Sequence, residues 1–163
     1  MADTIVNRVA ASALITFDLE KLYQIGSRHS IDISQWLDQG ILLKEKEFRA
    51  QLKAHDWSIY RDKFIALQCS TEAILPSWAF LLVTTHLQPY ARKVVLGSLK
   101  DLEVQLFAEE IQLLELSPYK DQPVIIKGCT ENTVPQDAYV QLIAKLQPVV
   151  KSLFYGEACS SVP

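Results

Sequence analysis

The residues of this chain best suited to chemistry are its three cysteines, Cys69, Cys129 and Cys159. Thiolates are soft ligands that select zinc, copper(I) or iron-sulfur clusters over magnesium or calcium. Three is an odd number, so a disulfide framework is disfavoured, and in a reducing compartment the sulfurs are expected as thiols or metal ligands. The sequence therefore predicts a cysteine-based metal site, with zinc or an iron-sulfur cluster as the candidate cofactor.

An acidic residue accompanies each cysteine in the sequence: Glu72, Glu131 and Glu157. These neighbours favour a bound cation and disfavour an activated thiol nucleophile, because nearby carboxylates stabilise the protonated thiol. No Gly-rich phosphate-binding motif is present, so nucleotide binding has no support. If a fourth ligand completes the site, Glu157 is the first choice, and an open position filled by water or by a ligand of a partner is the second.

The elements that must position these residues follow an α/β pattern from residue 41 onward, where short β-branched runs alternate with segments of helical period. We predict a mostly parallel sheet of about five strands with helices on both faces, the strands lying at 41–44, 64–69, 94–97, 124–128 and 152–156. A helix with one apolar face is predicted after Ser98, which forms a capping pair with Asp101.

The first forty residues contain two more strand-like runs, 14–19 and 30–33, with no long helix between them. An antiparallel hairpin or flap is the predicted arrangement for this region. The expected organisation is a single domain over residues 1–163, with the flap at 1–40 and the α/β core at 41–163.

An internal repeat covers most of the predicted core. Its two copies begin at Tyr60 and Tyr119, and from Pro76 to Gly97 and from Pro135 to Gly156 their spacing is identical. The two cysteines Cys69 and Cys129 match if one gap is allowed in the loop before the proline. Each copy is predicted to be a βαβ unit, with proline tolerated in the first helical turn.

Right-handed crossovers make such strands parallel, so that their carboxyl ends open on the edge where α/β folds bind ligands. Cys69 and Cys129 then lie at equivalent strand ends, and Cys159 follows the last strand at the same edge. All three sulfurs are expected to meet there if their strands are adjacent. His55 and His86 are expected at the opposite edge, and His29 is not placed.

Packing is the alternative to ligation for these cysteines, because a free cysteine often serves as a small apolar core residue. His86 is likewise given a structural interpretation, as a residue on the surface of its helix and not a ligand. Five aromatic residues are interpreted as core and not as a stacking platform: Trp36, Trp57, Trp78, Phe80 and Tyr139.

Composition narrows the classes of partner. The formal net charge is -3 and basic residues form no stripe, which makes nucleic acid a poor partner. No apolar run is long enough to span a bilayer, and the N-terminus lacks the basic and apolar regions of an export signal. The expected location is the cytoplasm, with no membrane partner.

Several strings resemble an uncharacterised family from the Bacteroidota that is catalogued only as a domain of unknown function. They are Asp56-Trp57, Cys69-Ser70, Pro76-Ser77-Trp78-Ala79, His86-Leu87-Gln88-Pro89, Lys127-Gly128-Cys129 and Tyr155-Gly156-Glu157-Ala158-Cys159-Ser160. The resemblance covers the whole chain. It implies a gene often found beside iron-sulfur cluster assembly components, and a departure at Gln68, where relatives often carry histidine.

The leading hypothesis is a metal- or iron-sulfur-binding accessory protein whose thiolate ligands are Cys69, Cys129 and Cys159. Its expected partners are iron-sulfur assembly proteins or a second copy in a homodimer. The alternative is a non-catalytic protein-interaction module with structural cysteines. A third hypothesis, a thiol enzyme, leaves open whether the chain is catalytic.

Overall fold

The computed structural model of the protein describes residues 14–128 and 134–156. Within them the strands and α-helices follow the order β1 (Ile15–Phe17), β2 (Arg28–Asp32), α1 (Glu45–Ala54), β3 (Phe64–Gln68), α2 (Ser77–Leu87), β4 (Lys93–Leu96), α3 (Leu99–Leu113), β5 (Pro123–Lys127), α4 (Gln136–Leu146) and β6 (Ser152–Gly156). No helix in these two ranges has the length and apolarity needed to cross a bilayer.

The chain forms two compact units. The central unit is Ile25–Gln105, and the terminal unit combines Met1–Gln24 with Leu106–Pro163. Helix α3 begins in the central unit and ends in the terminal unit. Each unit has its own sheet and its own cluster of buried apolar residues.

The central unit is built on a parallel sheet with the strand order β2-β3-β4. Its middle strand, Phe-Ile-Ala-Leu-Gln, is buried along the first four residues, as expected of a parallel strand covered on both faces. Phe48 and Leu52 of α1 and Val83 of α2 join the buried cluster that contains Ile65 and Leu67 of this strand. These residues bury β3 in the core of the central unit.

The terminal unit repeats this plan with the strand order β1-β5-β6, again parallel throughout. Its cluster packs Phe107 and Ile111 of α3 with Val124 and Ile126 of β5 and Leu142 of α4. The buried residues of α4 recur every four positions, which is the period of one helix face.

The internal repeat is confirmed, and it is longer than the sequence suggested. Helix α4 begins and ends 59 positions after α2, and β5 begins and ends 59 positions after β3. The same offset relates the buried pair Phe48 and Leu52 to Phe107 and Ile111. It also relates Asp62 to Asp121, two residues with positive φ, 60° and 57°.

The expected single sheet of about five strands and the N-terminal hairpin are both wrong. Each copy takes a separate leading strand from the first forty residues, so two three-stranded parallel sheets form. Strand β1 pairs with β5 and β2 pairs with β3, and neither is antiparallel. Residues 41–44 are not a strand, because Ile41 and Leu42 are more than half exposed in a turn closed by an Asp38–Leu42 bridge.

The predicted helix after Ser98 is confirmed as α3. The Asp101 carboxylate accepts the Ser98 backbone N–H at 2.8 Å, and the Asp101 N–H donates to the Ser98 hydroxyl at 3.2 Å. This reciprocal arrangement is a capping box, which satisfies N–H groups that have no partner inside the helix. Both local signals in the sequence, the cap and the apolar face, therefore agree with the observed element.

Candidate functional site

Cys69 lies directly after β3 in the central unit. Its side chain is partly buried and packs against the apolar cluster of that unit. The sulfur is 3.4 Å from the Thr71 hydroxyl oxygen, and that hydroxyl donates to the Gly40 carbonyl at 2.6 Å. Because the Thr71 proton is used on Gly40, the Cys69 S–H is the donor to Thr71. Cys69 has the surroundings of a packed, hydrogen-bonded thiol.

The carboxylate of Asp32 joins the ends of β2 and β3 at the same edge of the central sheet. Its oxygen Oδ1 accepts the Ser34 N–H at 3.0 Å and the Ser70 N–H at 3.1 Å, and Oδ2 accepts the Ser70 hydroxyl. Partial burial raises the pKa of Asp32, but these hydrogen bonds outweigh it and lower the pKa to about 2. The group is a structural anchor and is poorly suited to act as a base near neutral pH.

At the matching edge of the terminal unit, the ends of β5 and β6 are joined by a backbone hydrogen bond. The Gly128 N–H donates to the Gly156 carbonyl at 2.9 Å. The Tyr155 ring lies over Gly128 so closely that a Cβ there would be 2.8 Å from Tyr155 Cζ. Glycine is therefore the residue that fits at this strand exit.

Three of the predicted site residues, Cys129, Cys159 and Glu157, lie outside the described residues, as does Glu131. Whether their side chains meet stays a prediction. Glu72, the acid near Cys69, is exposed. Cys69 belongs to the central unit, whereas Gly128 and Gly156, the last described residues before the other two cysteines, belong to the terminal unit.

The expected equivalence of Cys69 and Cys129 is wrong. Eight residues separate β3 from α2, and eight separate β5 from α4, so the 59-residue offset needs no gap. In this register Cys69 matches Gly128, and Cys129 matches Ser70. Aligning the two cysteines would need a gap that the equal loop lengths do not require.

Two features of the terminal unit were not found from the sequence. The Lys127 ammonium lies 3.6 Å from the Asp18 carboxylate, so a cation at the end of β5 faces an anion after β1. An open cavity of about 600 Å³ adjoins the β5 exit and is lined by Gly128, Val134, Gln136, Tyr139, Val140, Ile143 and Tyr155. The ion pair depends on the pairing of β1 with β5, and the cavity depends on the packing of α4. Neither contact can be read from neighbouring residues in the sequence.

Within residues 14–128 and 134–156, no group of three His, Cys, Asp or Glu side chains has the geometry to hold a metal ion. His55 and His86 contact Trp57, which precedes β3, so they lie at the amino end of that strand as expected. Gln68, the departure noted from the resemblance, donates to the Ser30 hydroxyl at 3.2 Å.

Comparison with known proteins gives a family and no activity. The model of a family described as a protein of unknown function, DUF2480, matches residues 3–163. No curated protein matches the chain, and no solved structure does.

Proposed function

Because the chain belongs to the DUF2480 family, whose description assigns no activity, we propose a function from its own residues: it is a metal- or iron-sulfur-binding accessory protein. We propose Cys129, Cys159 and Glu157 as the three protein ligands of the metal site. The terminal unit would carry this site at the carboxyl edge of its sheet. The taxonomic range and the gene context suggested by the resemblance stay predictions.

The observation that carries the proposal is the hydrogen-bonded exit of β5 and β6. Gly128 and Gly156 are joined there, and Cys129 is the next residue after Gly128. Its Cα is therefore about 3.8 Å from that of Gly128, while three extended residues carry Cys159 at most about 11 Å from Gly156. Neighbouring strands are only about 4.8 Å apart. The chain lengths therefore allow both sulfurs to reach one ion.

The donor set suits a soft or borderline metal. Two thiolates bind zinc at about 2.3 Å, and a carboxylate oxygen is an accepted third ligand. Glu157 follows Gly156 directly in the chain, and Gly156 is hydrogen-bonded to Gly128, the residue before Cys129. Three protein ligands would leave a fourth position open, which suits a protein that passes its metal or cluster to an iron-sulfur assembly partner.

Cys69 has a different part in this proposal. Its S–H group donates a hydrogen bond to the Thr71 hydroxyl, and the side chain packs against the apolar cluster of the central unit. A thiolate ligand has no proton and would lose that hydrogen bond. We therefore assign it a structural role. The alternative, that Cys69 is a third thiolate ligand, is tested by the same experiment.

The experiment is metal analysis of full-length protein purified without oxygen from zinc- or iron-replete cells. We expect near-stoichiometric metal in the wild type and in Cys69→Ser, and loss of metal in Cys129→Ser and Cys159→Ser. Cys69→Ser is the matched control, because it removes a thiol without touching the proposed ligands. Equal metal content in the wild type and in Cys129→Ser would contradict the proposal.

A second candidate function is a non-catalytic interaction module, and the packed thiol of Cys69 favours it. In that case none of the three cysteines binds a metal, and serine, which is similar in size, can replace each of them. The variant with all three changed to serine would then keep its folded spectrum and its oligomeric state, and the wild type would contain no metal. Loss of metal with an unchanged fold in this variant would favour the metal site instead.

A further inference from the structure

The middle strands of the two sheets differ in how they are buried. Strand β3 is buried along its first four residues, whereas the buried residues of β5 alternate with partly buried ones. Val124 and Ile126 of β5 belong to the buried cluster of the terminal unit, so Ile125 points to the opposite face of that sheet. Parallel sheets are usually covered on both faces. Among the described residues, the terminal sheet is fully covered on one face only.

The open face of the terminal sheet is defined by a row of three paired residues, Thr16, Ile125 and Phe154, one from each strand. Thr16 is exposed, Ile125 is partly buried, and Phe154 is 52% exposed. At the 59-residue offset, Ile125 and Phe154 match Ala66 and Val95, which are 0% and 3% exposed. The same positions of the repeat are therefore core in the central unit and partly open to solvent in the terminal unit.

A helix covers the matching face of the central sheet. Helix α3 begins after two residues that follow the edge strand β4, and its Leu102 is fully buried. The Arg28 guanidinium of β2 binds the Glu103 carboxylate of this helix at 2.6 Å and lies 4.9 Å from the centre of the Phe64 ring. Phe64 points to the same face as Ala66, because the two are two positions apart in β3. The central sheet is thus covered on this face by a helix joined to its edge strand.

The sequence just before β1 has the pattern of such a helix. Within residues 4–11, the apolar residues Ile5, Val6, Val9 and Ala10 are spaced as one face of a helix, and the polar residues fall on the other face. The segment is followed by three residues and then by β1, an edge strand of the terminal sheet. A connection of this length is common between a helix and a strand.

The size of the open face suits this segment better than a second copy of the chain. The outer strands of a three-stranded sheet are about 10 Å apart, and the five residues of β5 or β6 extend about 17 Å. A helix over residues 4–11 would be about 12 Å long and about 10 Å wide, which matches these dimensions. The face offers roughly 200 Å², far below the roughly 800 Å² per partner of a stable interface between proteins.

We propose that residues 4–11 form a helix whose apolar side packs on Ile125 and Phe154 and covers the open face of the terminal sheet. The helix precedes the edge strand β1, whereas α3 follows the edge strand β4 in the central unit. This inference does not depend on the metal proposal, because it involves no cysteine and its test needs no metal.

A double-mutant cycle tests the contact with Phe154. The pair Ile5→Asn and Val9→Asn removes the apolar side of the segment, and urea unfolding of the full chain, followed by circular dichroism, gives the folding equilibrium constant. We expect the pair to lower this constant roughly tenfold in the wild-type background, because buried apolar contacts are lost. In the Phe154→Ala background the same pair should lower it less than about threefold, since most of that contact is already gone.

Two matched controls separate this contact from general effects of substitution. The pair Thr4→Asn and Arg8→Asn has the same spacing on the polar side of the segment, and it should change the folding constant by less than about twofold. Tyr155→Ala removes a ring of β6 that is 61% exposed and points to the opposite face from Phe154. The apolar-side pair should keep its full effect in the Tyr155→Ala background.

Three results would overturn the proposal. An equal effect of the apolar-side pair in the wild-type and Phe154→Ala backgrounds would leave the face to a separate partner. A coupling found only at concentrations at which the chain sediments as a dimer would assign the face to a second copy. If the variants do not fold, hydrogen exchange of the wild type decides: the amides of residues 7–11 should exchange at least about tenfold more slowly than in an unstructured peptide, and exchange at the peptide rate would be the third such result.

Discussion

The central and terminal units share one scaffold, but the side chains at the carboxyl ends of their strands make different polar contacts. In the central unit the Asp32 carboxylate binds Ser70, which closes the edge with polar hydrogen bonds. In the terminal unit the matching carboxylate, Asp18, faces Lys127, and a glycine occupies the position of Cys69. Each carboxylate still caps the short helix that follows its strand. Duplication therefore preserved the caps and the core while the strand exits diverged.

The same contrast appears at the end of the helix before the middle strand. The Leu52 carbonyl accepts the Trp57 indole N–H at 2.7 Å, whereas the matching Ile111 carbonyl accepts the Lys145 ammonium at 2.7 Å. Both carbonyls lie in the last turn of their helix, where the regular hydrogen-bond pattern ends; that of Ile111 also accepts the Leu114 N–H at 3.2 Å. The central unit uses an aromatic group, which allows His86 to stack, and the terminal unit uses a charge.

The largest expected effect tests whether the shared core is equivalent in both units. Phe48→Ala and Phe107→Ala should each lower the free energy of unfolding by about 3–5 kcal/mol, because both rings are buried and leave a cavity. Urea unfolding followed by circular dichroism measures this. A loss in one variant and none in the other would contradict the equivalence of the two packing positions.

A smaller effect is expected at the polar edge of the central unit. The lowered pKa of Asp32 corresponds to at most about 2.5 kcal/mol, and because the carboxylate is partly exposed we expect Asp32→Asn to cost about 1 kcal/mol. This contribution is present above the ordinary pKa of 3.8 and is lost as the pH falls toward 2. Urea unfolding at several pH values between these limits measures it.

Asp18→Asn is the matched control for Asp32→Asn. Its carboxylate accepts one backbone N–H, from Glu20, and lies 3.6 Å from the Lys127 ammonium. With fewer short hydrogen bonds to lose, it should have the smaller effect. A larger loss of unfolding free energy in Asp18→Asn would mean that the ion pair with Lys127 stabilises its sheet edge more than the serine contacts of Asp32 stabilise theirs.

An effect of similar size is expected at the exit of β5. Gly128→Ala should cost about 1 kcal/mol, because the new Cβ meets the Tyr155 ring, which is 61% exposed and can move. Adding Tyr155→Leu, the residue type found at the matching Leu96, should remove most of that cost. Thermal unfolding of the single and double variants measures it, and an unchanged cost in the double variant would exclude the ring as the cause.

Local signals in the sequence were sufficient for much of the scaffold. The capping pair Ser98 and Asp101, the strand 152–156 and the proline-to-glycine spacing of both copies depend on neighbours in the chain, and all were confirmed. The buried positions of Trp36 and Trp57 also follow from residue type. These features need no knowledge of which strands pair.

The partners of β1 and β2 could not be predicted in this way. Ile15 pairs with Val124, more than a hundred residues away, and such a register is set by tertiary packing alone. The apolar run at 41–44 predicts a strand wrongly, because so short a run has no clear period. The match between Cys69 and Cys129 is misleading because the element lengths, and not single residue identities, determine the register of the repeat.

The central claim, that Cys129 and Cys159 share a metal while Cys69 does not, is tested most directly by counting the sulfur ligands. X-ray absorption at the zinc edge of the zinc-loaded, full-length protein should give two sulfur atoms at about 2.3 Å. The count should be unchanged in Cys69→Ser and reduced in Cys159→Ser. A zinc ion with no sulfur ligand, or a count that falls in Cys69→Ser, would contradict the account.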